Sequence, residues 1–138
     1  MYSKILVPVS AKNLEARARV ALRHALALRP ETLFLLHVTE PIPGLVGGQA
    51  HMRIMREQEE KGLEVLRSAM GVIENAPFAL RVEAGTVAET IVRVAHEEQV
   101  DLIVMFTDGR DTLEDALLGS VTERVLRNSD VALLAIRR

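Results

Sequence analysis

The chain has no cysteine and no tryptophan, and only one tyrosine and three phenylalanines among its 138 residues. Without cysteine there can be no disulfide, no thiolate metal site and no cysteine nucleophile. The absence also fits a reducing compartment. So few aromatic residues leave little with which to stack nucleic-acid bases. No cationic surplus exists either: 17 Lys and Arg against 19 Asp and Glu give a net charge of −2. Proteins that bind nucleic acid usually show the opposite balance. The longest unbroken apolar run, Val131–Ile136, falls far short of the roughly 20 residues that span a bilayer. The opening Met1-Tyr2-Ser3-Lys4 leads straight into a strand-like segment, with no apolar stretch or small-residue cleavage site of a signal peptide. A cytoplasmic protein with neither nucleic-acid nor membrane partners is expected.

Apolar residues supply 49% of the chain and charged residues 26%, a composition suited to a globular fold. The length suits one domain over residues 1–138, since domains commonly run about 100–150 residues. The sequence shows no internal repeat and no low-complexity segment.

Five short apolar segments alternate with longer amphipathic ones. Lys4–Val9, Thr32–Val38, Phe78–Glu83, Leu102–Phe106 and Val131–Ile136 predict strands. Leu33–Leu36, Leu102–Phe106 and Val131–Ile136 are nearly continuous in apolar residues, as parallel strands covered on both faces require. Helical spacing links Leu14, Ala18, Ala21, Leu22, Ala25 and Leu28, with Arg17, Arg19 and Arg23 mostly off that face. Met55, Gly62, Leu66, Met70 and Ile73 mark a second helix; Val87, Ile91, Val94 and Ala95 a third; Val121 and Val125 a fourth. Thr86 with Glu89, and Ser120 with Glu123, have the spacing of capping boxes. Pro41–Gly48 reads as a loop. Alternation with right-handed crossovers predicts an α/β doubly wound five-stranded parallel sheet with about four helices. Such sheets bind ligands at the carboxyl ends of their strands. Ser10–Asn13, Val38–Glu40, Ala84–Thr86 and Thr107–Ser120 therefore come under scrutiny.

His24, His37, His51 and His96 show no metal-ligand spacing, so no metal site is expected. Ser10, His37 and Asp108 follow predicted strands or end them, and a hydroxyl, base and acid could form a nucleophilic triad there. Ser10 lacks the Gly-x-Ser-x-Gly elbow, however, and no catalytic residue is assigned. Neither Gly-x-x-x-x-Gly-Lys-Ser/Thr nor Gly-x-Gly-x-x-Gly occurs. What does occur is Gly109, nine residues, then Gly119-Ser120 opening a helix. Glycines let backbone approach a phosphate, and helix N-termini bind anions.

Several segments, in order, resemble the universal stress protein family. They are Lys4-Ile5-Leu6-Val7-Pro8-Val9, Leu36-His37-Val38 with Glu40-Pro41, Gly85–Glu89, Asp101–Met105 and Leu117–Leu126. The resemblance implies a flavodoxin-like sheet of order 3-2-1-4-5 and a homodimer. In that order Val131–Ile136 is an edge strand, and a second copy would cover it.

An ATP-binding branch of the family carries Gly-x-x-Gly, nine residues, Gly-Ser/Thr, and an Asp after the first strand. Gly109, Gly119 and Ser120 match this pattern, whereas Phe106 replaces the first glycine and Ser10 the Asp. The resemblance thus implies cofactor-binding positions at Val9, Ser10, Val38, Phe106, Gly109, Arg110, Gly119, Ser120 and Val121. Ser10 offers one hydroxyl where a carboxylate could accept two ribose hydrogen bonds. The phenyl ring of Phe106 would fill the space a glycine leaves, unless it turns into the core. Asp108, Asp111, Glu114 and Asp115 outnumber the single cation Arg110, and would repel a triphosphate.

The expected function is a non-enzymatic regulatory or stress-response protein. It would act as a homodimer with protein partners, and its nucleotide pocket would be altered. The alternative is an ATP- or AMP-binding stress protein that holds phosphates, with Mg²⁺, in Gly109–Ser120 and has at most slow ATP hydrolysis.

Overall fold

The computed structural model describes residues 1–10, 17–71, 77–107 and 119–137. Strands β1 (Lys4–Pro8), β2 (Thr32–Thr39), β3 (Phe78–Ala84), β4 (Leu102–Phe106) and β5 (Ala132–Ile136) alternate with four helices. The helices are α1 (Arg19–Ala27), α2 (Gly48–Met70), α3 (Val87–Glu97) and α4 (Ser120–Asn128). All neighbouring strands pair in parallel, in the order β3-β2-β1-β4-β5. Order reverses beside β1, because the chain leaves it first toward β2 and later crosses to β4. The predicted doubly wound α/β fold is the one observed.

Successive side chains of a strand point to opposite faces, and the two cores divide accordingly. One joins Ile5, Val7, Leu33, Leu35, Leu102 and Val104 to Ala21, Leu22 and Ala25 of α1 and to Leu66 and Ala69 of α2. The other joins Leu6, Phe34, Leu36, Ile103 and Met105 to Ala88, Ile91, Val94 and Ala95 of α3 and Val125 of α4. Helices on both faces explain why the strands read as unbroken apolar runs.

Local differences from the predictions have physical causes. Pairing ends at Pro8 rather than Val9, although the Val9 N–H still donates to the Leu36 carbonyl at 2.7 Å. α2 begins at Gly48, well ahead of Met55, and Met55 is exposed. Its first buried residue is Gly62, so the predicted apolar face holds at Gly62, Leu66 and Met70 but not at Met55. Neither predicted capping box forms: α3 and α4 both start without a side-chain cap bond. Glu89 pairs with Arg124 at 3.4 Å, and Glu123 with Arg127 at 2.7 Å. Gly119 caps α4, and Ser120 is its first helical residue. Leu14 and Ile73 lie outside the described residues.

β3 is one edge of the sheet and β5 the other. An ion-pair cluster sits beside β3: Arg81 reaches Glu83, Glu97 and Glu98 at 2.8–3.3 Å, and Arg93 reaches Glu83 and Glu97. β5 carries no charge along Ala-Leu-Leu-Ala-Ile, and its first four residues are exposed or partly exposed. Among the described residues, no helix is long and apolar enough to cross a membrane.

Candidate functional site

A cavity of about 390 Å³ opens where the strand order reverses, beyond the carboxyl ends of β1, β2 and β4. This crevice exists because the chain passes to opposite faces of the sheet on either side of β1. Ala18 and Ala21 of the α1 segment form one flank, and Val87 and Ile91 of α3 the other. Val9 and Ser10 lie in its floor after β1, with Leu36, His37 and Val38 from β2. Met105 and Phe106 supply the β4 side, and Gly119, Ser120 and Val121 bring in the start of α4.

Seven of the nine sequence-derived positions thus meet around one cavity: Val9, Ser10, Val38, Phe106, Gly119, Ser120 and Val121. Gly109 and Arg110 lie outside the described residues, as do Asp108, Asp111, Glu114 and Asp115. Lining residues that the sequence reading passed over include Arg17, Val87, Ile91 and Met105. Topology could have indicated Val87, the first residue of α3 beyond the β3 end. Arg17 gave no such signal, since a helical wheel assigns it to solvent.

Phe106 resolves the question of its ring. Alternation along β4 sends Leu102 and Val104 to the α1 face, with Ile103 and Met105 opposite. Phe106 follows Val104 to the α1 face, where it packs partly buried against that core. There its ring lies under the Arg17 guanidinium, whose carbon is 5.4 Å from the ring centroid. This is cation–π distance. Phe106 is also among the residues that line the cavity.

The α4 end is fixed by one hydrogen bond. The Gly119 N–H donates to the Thr107 hydroxyl at 2.8 Å, and Thr107 is buried. Thr107 in turn donates its own N–H to the Ile136 carbonyl of β5 at 2.9 Å. The mouth of α4 is therefore tied to both terminal strands of that half of the sheet. Gly119 has an extended backbone, and the helix starts at Ser120.

His37 is committed structurally. Its Nδ1 lies 2.9 Å from the Val9 carbonyl, which can only accept, so Nδ1–H donates. A triad would give that nitrogen to an acid; here a backbone carbonyl holds it. On the far side of His37 a broader hollow of about 660 Å³ lies between β2 and α2. Within it Gln58 bonds Thr39 at 3.4 Å and the Glu40 carbonyl at 3.2 Å. The crevice beside β1 is the better ligand site.

Among the described lining residues, Arg17 is charged and no carboxylate is present. The α4 N-terminus adds the positive end of a helix dipole and backbone N–H groups. Apolar side chains from α1, α3 and the strand ends make up most of the remaining wall. An apolar, partly aromatic moiety bearing a negative group fits that combination.

The chain is similar to known proteins in sequence and fold. Universal stress protein MJ0577 of Methanocaldococcus jannaschii is 32% identical, over 100% of this chain and 96% of its own length. The solved structure of MJ0577 superimposes with a TM-score of 0.72 at 29% identity, covering 100% of this chain and 97% of that one. A universal stress protein in complex with cAMP shares the fold at a TM-score of 0.71 and 23% identity, over 98% of this chain and 97% of its own. A universal stress protein of Archaeoglobus fulgidus in complex with dAMP does so at 0.60 and 20%, over 98% of each chain. Residues 1–137 match the profile of the universal stress protein family. With that profile and these relatives in agreement, the chain belongs to the universal stress protein family.

Proposed function

We propose that this chain is a cytoplasmic, non-enzymatic regulatory stress protein whose crevice takes an adenine nucleotide, and that it acts as a homodimer joined along β5. The observation that carries the ligand reading is the make-up of the crevice. One flank ends in Arg17, the other in the α4 N-terminus, and no carboxylate lies among the described lining residues. Apolar strand ends around Val38 supply a surface for a base, and the adenine nucleotides held by two proteins of this fold agree with it.

The pocket is altered from the family's ATP pattern at Ser10 and Phe106. A serine hydroxyl binds ribose less fully than a carboxylate. His37 is held by a backbone carbonyl, which supports a binding role over a hydrolytic one. The dimer reading rests on β5, an uncharged apolar strand at a sheet edge. Such edges are ordinarily covered.

Isothermal calorimetry with AMP and with Mg-ATP tests the ligand. A Kd below about 100 μM for either nucleotide, equivalent to about −5.5 kcal/mol, is expected. Absence of heat with both at millimolar concentration would overturn the nucleotide reading and leave a regulator that works through protein partners alone.

A further inference from the structure

The two edges of the sheet differ in character. β5 is uncharged along its length, whereas β3 carries Arg81 and Glu83. Phe78, Leu80 and Val82 of β3 pack on the α1 and α2 core, and Ala79 on the opposite one. Alternation therefore puts Arg81 and Glu83 on the α3 side of this edge. There Arg81 meets Glu83 at 3.1 Å, Glu97 at 3.3 Å and Glu98 at 2.8 Å. Arg93 meets Glu83 at 3.0 Å and Glu97 at 2.6 Å. Three carboxylates against two guanidinium groups leave one negative charge over. The five side chains are 22–47% exposed, so water still solvates the cluster.

Resting on the homodimer reading, we propose that the network of Arg81, Glu83, Arg93, Glu97 and Glu98 closes the β3 edge to another copy of this chain, so that assembly stops at the dimer. A parallel sheet has two edges that could join head to tail. β5 of one copy could pair with β3 of the next, and repetition of that contact gives an open filament. β5 against β5 about a two-fold axis closes after two copies. A strand added to β3 would lie about 4.8 Å from it. On the α3 side, β5 would bring Leu133, which packs on that face in its own copy, against Arg81 and Glu83. Water would leave the cluster, and burying a surplus charge beside apolar side chains is costly. Charges on the covered face of an edge strand are one means by which such strands are kept from pairing. Single exposed ion pairs contribute little to stability, so the place of this network matters more than its strength.

The test is sedimentation velocity over a range of concentrations, on the wild type, Arg81→Val/Glu83→Val, Arg81→Thr/Glu83→Thr and the charge-keeping Arg81→Lys/Glu83→Asp. The wild type and the charge-keeping variant should sediment as dimers. Both uncharged variants should grow with concentration to at least about four times the mass of one chain, because each added copy exposes another edge. The threonine pair keeps the strand polar, which guards against a valine pair that loses its fold; thermal melts show which variants are folded. Leu134→Lys added to the threonine pair puts a charge on β5 and should abolish the growth, whereas misfolded aggregates would persist. Folded uncharged variants that remain dimers overturn the proposal. Growth that survives Leu134→Lys overturns it too, as does growth of the charge-keeping variant. A monomeric wild type overturns the dimer reading; growth of the uncharged variants would then still support closure of β3, and its absence would overturn that as well.

Discussion

Gly119 and Thr107 close the rim of the crevice: the glycine N–H donates to the threonine hydroxyl at 2.8 Å, with Thr107 only 3% exposed. This bond occupies one of the orphan N–H groups at the α4 start and aims those that follow toward the crevice. Thr107→Val keeps the shape and deletes the acceptor. An unpartnered donor in a poorly solvated place costs about 1–3 kcal/mol. A melting temperature lower by several degrees is expected, since about 1 kcal/mol shifts a domain of this size by roughly 2–8 °C. Calorimetry should also show nucleotide affinity falling, because the helix start is no longer pinned to β4. Unchanged melting and unchanged affinity would mean that the bond does not organise the rim.

Much of the fold was legible in the sequence for a reason visible in its strands. Leu33–Leu36 and Leu102–Phe106 are apolar on both faces, and only a sheet covered by helices on both sides explains that. The caps were not legible. Ser120 and Glu123 have the right spacing, but Glu123 has a partner one helical turn on in Arg127, and the Gly119 N–H is taken from outside the helix by Thr107. A short motif cannot report competition from a residue on another element. The same limit applies at the crevice. Val9, Ser10, Val38 and Phe106 follow or end strands, so topology alone places them at the carboxyl edge. Arg17 lines the site beside Phe106, a residue far along the chain that no periodicity connects to it.

Gly62 marks the closest approach of α2 to the sheet. A Cβ built there would lie 2.6 and 2.8 Å from the two methyl groups of Val82 and 3.2 Å from Cδ2 of His37. Helix propensity alone would favour alanine by about 1 kcal/mol. The contact opposes it: Val82 is β-branched and stiff at χ1, so relief requires α2 to shift. Overpacking of this kind costs about 1–3 kcal/mol. Gly62→Ala should therefore lower stability in a urea titration, and the double variant Gly62→Ala/Val82→Ala should recover part of the loss. A stabilised single variant would show that α2 moves freely over β3, contrary to the close packing seen.

Asp101 fastens the beginning of the chain to the start of β4. Its carboxylate accepts the N–H groups of Lys4 and Ser3, both at 2.8 Å, and the Ser3 hydroxyl at 3.2 Å. These bonds, that from the Lys4 N–H foremost, hold its pKa below the ordinary carboxylate value despite partial desolvation. The depressed pKa fixes the sign of the pH effect. Above the unfolded value of about 3.9 the carboxylate is charged in both states, and its contribution to stability is fully present. As pH falls through the lower folded value, the group protonates in both states and that contribution disappears. Asp101→Ala should consequently melt below wild type at pH 7, and the gap should narrow in melts taken below about pH 4. A gap that stays constant from neutral to acidic pH would show that Asp101 stabilises the junction without its charge.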